Sequence, residues 1–396
     1  MRCRKDETMK KTMNAGRGFT KKLRLRLEEM RIVLCCLIGR ALAVFASHRH
    51  WVLVERGDDA RDNAYFLYQF IKKQHPEQKV YYFIKKTSAD FPKVREDAVE
   101  PGSLKSCFLL VSASKIVSTH YASGLPFRSA KFFRMLGLHK KFYFLQHGIT
   151  HNDLPGLYAK NAPMRMFVCG AKPEYEFVKA NFGHPGEVVQ YTGFARFDNL
   201  HDVSVKRQIL VMPTWRMYIR SEKDFLSSDY FRCWQSFLNH PALKEKLEKE
   251  DLRLIFYVHY GMQPYAGHFV SPSERMVIAR FQDYDVQTLL KESAVLVTDY
   301  SSVHFDFAYM RKPVLYYQFD EEVFGKKHYM KGYLDYREMG FGNVCTQEAD
   351  AVSELTGMID RNCRPEERFT ERINSFFPLF DTGNCKRIYE FIKGDR

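Results

Sequence analysis

The chain has 396 residues, 45% of them hydrophobic and 15% aromatic, and a formal net charge of +14. That length exceeds one average domain and suits two with separate cores, and the apolar content excludes a disordered chain. No stretch reaches the roughly 20 uncharged apolar residues of a membrane span. The best one, residues 32–45, is shorter, is interrupted by Arg40 and lies behind a long charged lead. It does not read as a secretory signal, so the chain is expected to stay in the cytoplasm. Nine scattered cysteines without a C-x-x-C pair indicate neither a disulfide framework nor a zinc site.

The charge is uneven. Residues 1–50 hold thirteen Lys/Arg against four acids, an excess of nine. Residues 21–45 alternate basic with aliphatic residues and then turn apolar. This suits a helix lying on an anionic membrane surface, with a solvated basic tail as the alternative. No helix-turn-helix, RNP-type or zinc-finger pattern supports a nucleic acid partner.

From Trp51 onward the pattern alternates. Strands are predicted over residues 51–54, 79–84, 115–118, 141–145, 166–169 and 187–190, with helices over 63–73 and 174–181 between them. A polar patch, residues 198–206, reads as a linker. The second half predicts strands over 208–212, 252–258, 295–297 and 314–317, a long helix over 225–249, and helices over 349–361 and 365–392. Strands separated by helices imply parallel βαβ units. The expected class is therefore α/β: a basic segment over 1–50, doubly wound domains over 51–200 and 206–375, and a C-terminal helix over 376–396 that packs back.

Four apolar runs stop abruptly in polar clusters: at Gln146-His147-Gly148, Pro213-Thr214-Trp215-Arg216, His259-Tyr260-Gly261 and Thr298-Asp299-Tyr300-Ser301-Ser302. In open parallel sheets ligands bind beyond the carboxyl ends of the strands, so these clusters are expected to converge on an interdomain cleft. The last leads into a helix that Ser301 or Ser302 can cap; its N–H groups suit phosphate, or the serines only cap. Two histidines, an arginine and hydroxyls fit a diphosphate ligand and proton transfer, and do not fit hydride chemistry. There is no P-loop or dinucleotide fingerprint. The D-x-D pair Asp283/Asp285 leads into a helix, which favours capping over metal binding, and no metal or cofactor is expected.

Thr298-Asp299-Tyr300-Ser301-Ser302 with Phe305-Asp306-Phe307, then Lys312-Pro313 and residues 316–320, resembles the signature of the CDP-glycerol glycerophosphotransferases of teichoic acid and capsule polymer synthesis. His147-Gly148, Thr192-Gly193 with Arg196-Phe197-Asp198, Pro213-Thr214-Trp215-Arg216, and Gly332-Tyr333 with Asp335 resemble further motifs of that family. The likeness spans about residues 51–345.

The resemblance implies a GT-B architecture of two Rossmann-like domains facing a cleft, the first for the acceptor and the second for the CDP-alcohol. It implies attack of an acceptor hydroxyl on the β-phosphorus of CDP-glycerol with release of CMP, at the cytoplasmic face of the membrane. His147 matches the proposed general base and His259 a histidine that contacts the diphosphate. Thr214, Arg216, Thr298, Asp299, Ser301, Ser302 and Asp306 are the expected CDP and phosphate contacts, with Gly148, Gly193, Arg196 and Asp198 as supporting motif residues. The expected partners are a CDP-activated alcohol, a lipid-linked or polymeric acceptor and an anionic membrane surface; no oligomeric state is assigned. Departures exist. The Arg-x-His-Pro motif reads Tyr257-Val258-His259-Tyr260, Ile149 replaces a usual threonine, and Ala195 replaces a proline. They leave CDP-ribitol open as donor, and a sugar nucleotide used by a glycosyltransferase of the same fold as the alternative.

Overall fold

The structure, a computed structural model, describes residues 30–41, 49–122, 124–126, 130–327 and 332–395. Of the basic segment 1–50, therefore, only residues 30–41 and 49–50 fall within it. Residues 30–41 are helical and bury Cys36 and Gly39 while leaving Met30, Leu34, Leu37 and Ile38 exposed. Among the described residues no helix is long and apolar enough to cross a membrane.

Thirteen strands form two sheets. The first has the order β3-β2-β1-β4-β5-β6-β7, with β1 Trp51–Val54, β2 Val80–Phe83, β3 Ala98–Val99, β4 Lys115–Ser118, β5 Phe142–Phe144, β6 Met166–Cys169 and β7 Val189–Tyr191. The second has the order β10-β9-β8-β11-β12-β13, with β8 Gln208–Val211, β9 Arg253–Tyr257, β10 Met276–Ala279, β11 Val295–Thr298, β12 Val314–Tyr317 and β13 Val344–Cys345. Neighbours pair in parallel, β1 with β2 and β4, and β8 with β9 and β11. Both orders begin at a central strand, run outward and then reverse, which is the doubly wound arrangement with its switch point beside the first strand. Strands buried on both faces read as unbroken apolar runs, and β1, β8, β11 and β12 are buried along their whole length. That is why the sequence pattern locates them.

Three short strands, β3, β10 and β13, carry no such signal. All are edge strands with partly exposed residues. The predicted helix over 225–249 is instead Asp229–Asn239 and Pro241–Lys249. Pro241 has no N–H for the helical ladder and drives the preceding residue out of the α region, and His240 accordingly sits at φ −63°, ψ 123°. The predicted helix over 365–392 likewise divides into Glu367–Phe376 and Asn384–Gly394.

The chain packs as two compact units. One comprises Met1–His147, Ala162–Val168 and Cys385–Arg396, the other Gly148–Asn161 and Cys169–Asn384. In the first, the last helix returns to β1: Tyr389 stacks on His75 at 3.9 Å between ring centroids and lies 5.3 Å from Trp51. The Asp395 carboxylate accepts hydrogen bonds from Tyr143 (2.7 Å) and Arg165 Nε (2.9 Å). In the second, Trp234 is fully buried and meets Tyr317 edge to face at 5.2 Å, within a core that also takes Phe237, Phe256 and Leu254. Lys312 Nζ donates to the carbonyls of Leu290, Lys291 and Ser293 and so closes the carboxyl end of helix Val286–Glu292. The Lys312-Pro313 part of the signature is thus structural. Asp285 caps the other end by accepting from the Thr288 N–H (2.9 Å), which accounts for one carboxylate of the D-x-D pair.

Candidate functional site

In the second unit the sequence block Thr298–Ser302 is a junction. Asp299 Oδ1 accepts from the N–H groups of Thr214 (2.8 Å) and Tyr300 (2.6 Å), the Asp299 carbonyl accepts from Gln318 Nε2 (2.9 Å), and the Thr298 hydroxyl donates to Met212 O (2.7 Å). These bonds tie together the carboxyl ends of β8, β11 and β12. Thr298 and Asp299 are fully buried. Their positions fix the turn that carries Ser301 and Ser302.

Arg216 completes the junction from below. It is fully buried, with Nε and Nη2 forked onto Asp320 at 2.7 and 3.0 Å, Nη2 also 2.9 Å from Asp299 Oδ2, and Nη1 donating to Thr214 O at 3.0 Å. Tyr230, Tyr300 and Phe324 surround the guanidinium at 5.0 to 5.3 Å. Burial alone would lower its pKa; Asp299 and Asp320 outweigh that and raise it. Burial pushes the Asp299 carboxyl up, opposed by Arg216 and by the two N–H donors. An arginine with its donors aimed inward does not present them to a phosphate. The expected cationic contact is a strut that holds the turn.

Beyond the turn, Ser301 is buried and Ser302 is exposed. Ser302 occupies the N-cap position of helix Val303–Tyr309 with an α-region backbone, and its hydroxyl makes no capping bond. Of the two serine roles open from sequence, capping is therefore not the one Ser302 performs. Its hydroxyl faces Gly148, where an added Cβ would stand 3.5 Å from Ser302 Oγ.

His259 follows β9 and its Nδ1 accepts from the Gly261 N–H at 3.1 Å. That assignment puts the proton of the neutral ring on Nε2, making His259 a donor, suited to a phosphate oxygen rather than to proton abstraction. The Trp215 ring lies nearly parallel to it, at 6.2 Å and 20°.

The remaining motif residues build scaffold. Arg196 forks onto Asp306 with two bonds of 2.8 Å, locking the helix that starts at the serines, so Asp306 serves this pair. Asp198 accepts from Asn384 N (2.9 Å) and Nδ2 (2.6 Å). Gly193 has φ +75°, and a Cβ there would fall on the Asn384 amide. Glu174, fully buried, accepts from Thr150 N (2.6 Å) and Gly170 N (2.7 Å), fastening the segment that starts at Gly148. A Cβ on Gly332 would come within 2.1 Å of His151 O, so this glycine lets the downstream motif close on the same segment.

In the first unit His147 is exposed at the end of β5. Its aim is set by Gln146, a buried residue at φ +59°, outside the region ordinary side chains prefer. Gln146 Nε2 donates to Val168 O (2.6 Å), and Asn63 Nδ2 donates to Gln146 O (2.8 Å). Strain held in this way costs about 1–3 kcal/mol and concentrates at functional positions. The His147 ring stacks on His120 at 4.2 Å and 9°, and its Nδ1 lies 3.4 Å from Thr119 O. With Nδ1 donating to that carbonyl, the basic lone pair resides on Nε2.

Sequence reasoning missed Asn63, His120 and Glu174. Asn63 and Glu174 open amphipathic helices, where a polar residue reads as a cap or a solvated group. His120 lies two residues beyond β4 and carries the same signal as the clusters at His147 and His259, an apolar run followed by a histidine.

Burial, then His147 and Arg56, push the His120 imidazole down to about 3. His304, fully buried with Nδ1 2.6 Å from the Tyr316 hydroxyl, is pushed well below 6.5 by burial and by His151. Both stay neutral in the folded chain, whereas the unfolded chain takes up their protons below about 6.5. Their contribution to stability is complete above that pH and is lost as pH falls below it, by up to about 1.4 kcal/mol per group per pH unit. The melting temperature should therefore drop between pH 7.5 and pH 5, and drop less in His304→Phe. Equal losses in the two proteins would show that His304 is not held neutral.

A model of the family described as CDP-Glycerol:Poly(glycerophosphate) glycerophosphotransferase matches residues 34–394. The chain is 32% identical over 384 residues to the minor teichoic acid biosynthesis protein GgaB of Bacillus subtilis (strain 168), covering 91% of this chain and 41% of that protein. It is 25% identical over 366 residues to the teichoic acid poly(glycerol phosphate) polymerase of the same strain, covering 83% and 47%. The chain thus spans less than half the length of these two relatives. The structure of the wall teichoic acid polymerase TagF superposes with a TM-score of 0.66 at 17% identity, over 94% of this chain and 98% of that one. The fold of two doubly wound sheets is shared along essentially the whole chain. With the strand-end motifs in place and the family match running from residue 34 to residue 394, the chain belongs to the CDP-glycerol:poly(glycerophosphate) glycerophosphotransferase family.

Proposed function

We propose that the chain transfers glycerol phosphate from CDP-glycerol to a hydroxyl of a membrane-linked or polymeric acceptor, with release of CMP, in synthesis of teichoic acid or a related surface polymer. The donor is the only small molecule it requires. His147 Nε2 takes the proton as the acceptor oxygen bonds to the β-phosphorus and the bond from that phosphorus to the bridging oxygen breaks. Ser301, Ser302, Thr214 and His259 Nε2 hold the diphosphate oxygens. The observation that carries this reading is the approach of Gly148, which follows the proposed base in the chain, to the serine turn within the second unit: a Cβ added to it would stand 3.5 Å from Ser302 Oγ.

The acceptor is met at an anionic membrane surface. Met30, Leu34, Leu37 and Ile38 are 50–65% exposed along one helix, and Leu104 and Met135 of the same unit are exposed as well. Such an apolar stripe beside a basic segment favours the interface of an anionic bilayer. The test is nucleotide release by the whole chain, CMP from CDP-glycerol or CDP-ribitol and UDP from UDP-glucose, with acceptor in phosphatidylglycerol vesicles or dispersed in detergent. CMP is expected from CDP-glycerol. A triple change Leu34→Glu, Leu37→Glu, Ile38→Glu should lower vesicle binding and the rate on vesicles while leaving the rate in detergent intact. Release from UDP-glucose alone would replace the phosphotransferase reading with glycosyl transfer.

A further inference from the structure

Two aromatic rings stand in solvent at the carboxyl end of the second sheet. Tyr260 is 66% exposed and Phe281 36% exposed, and their centroids are 5.1 Å apart. Tyr260 lies just beyond β9 and Phe281 just beyond β10. Gln263 bolts the two loops together: its Oε1 accepts from the Phe281 N–H (3.0 Å), and its Nε2 donates to Val258 O (2.8 Å). A rigid, exposed aromatic pair marks a binding face.

Its place on the sheet selects the ligand. β11, which carries the serine turn, is two strands from β9 and three from β10. At about 4.8 Å per strand the pair lies roughly 10–14 Å from that turn. Between them stand Trp215 and the donor His259. A ligand engaging both ends has an anionic group at the turn and a flat apolar group at the rings, which is the chemistry of a nucleoside diphosphate. Tyr260 also occupies the position where the resembled Arg-x-His-Pro motif has proline, so this chain supplies a ring where that pattern offers none.

We propose that Tyr260 and Phe281 form the platform on which the base of the nucleotide donor stacks. The identification of that base as cytosine rests on the CDP-glycerol reading above; the platform itself rests on the rings. Calorimetry with the whole chain tests it, using CDP-glycerol, UDP-glucose and inorganic pyrophosphate as probes. Tyr260→Ala is expected to weaken CDP-glycerol by about 10-fold, within the range for one base–aromatic stack, and Tyr260→Phe to bind as the wild type does. Pyrophosphate binding should be unchanged in both, and the KM for donor should rise in Tyr260→Ala while kcat holds. Phe281→Ala should reproduce the effect. Unchanged CDP-glycerol binding in Tyr260→Ala and Phe281→Ala overturns the platform, as does a change in self-association alone. Wild-type binding of UDP-glucose but not CDP-glycerol, weakened by Tyr260→Ala, would keep the platform and remove the CDP-alcohol reading.

Discussion

Arg216→Ala is expected to cost about 3–5 kcal/mol of stability, the loss typical when one partner of a fully buried charge cluster is removed. The reason lies in what stays behind. Asp299 and Asp320 would remain buried with no guanidinium, and the Asp299 carboxylate would keep only its two backbone donors. For a unit of this size the melting temperature should fall by roughly 10 °C. Arg216→Lys should fare little better, because one ammonium cannot fork onto Asp320 while also reaching Asp299 and Thr214 O. Removing charge from the partners should recover part of the loss, so Arg216→Met with Asp320→Asn is expected to melt above Arg216→Met alone. Scanning calorimetry of the four variants and the wild type decides the matter. If Arg216→Ala melted like the wild type yet lost CDP-glycerol binding, Arg216 would be a ligand contact and not the strut under the turn.

The same residue shows where a sequence can be read and where it cannot. Pro213-Thr214-Trp215-Arg216 is legible as a strand end because an apolar run stops there, and the doubly wound fold follows from ten such runs, most of them in strands largely buried on both faces. Which way a side chain turns at that end is not periodic. Arg216 aims into the core because Asp320, a hundred residues later, meets it there, and no local pattern encodes that pairing. Arg196 with Asp306, and Asp198 with Asn384, are unreadable for the same reason. Motif residues that look like ligands, Arg216, Arg196, Asp306 and Asp198, are then scaffold. Pro241 is the opposite case. Its effect is local and was open to reading, yet the long apolar periodicity on either side masks it. Gln146 sits between the two, since the sequence marks a strand end there but not the positive φ that turns His147 outward.

His147→Ala should lower turnover by about 10²–10⁴-fold, the usual contribution of a general base, while CDP-glycerol still binds. The expectation follows from the division of labour between histidines. His259 uses Nδ1 to accept from Gly261 and so offers a proton, and His304 is buried against Tyr316. His120 is held neutral beneath the His147 ring. His147 is an exposed imidazole whose Nδ1 meets a carbonyl, which puts the basic lone pair on Nε2, where the proposed reading needs it. Removing it should depress kcat with little change in the KM for donor, since the proposed reading gives the diphosphate to Ser301, Ser302, Thr214 and His259. The acid limb of the pH–rate profile, where protonation of the base stops reaction, should disappear with it. Stability should move little, because the ring is exposed at the surface of its unit. The decisive comparison is CMP release against calorimetric donor binding in the same preparation. Loss of both together would make His147 a donor contact, and the base would then have to be sought among the other groups at the carboxyl ends of the strands.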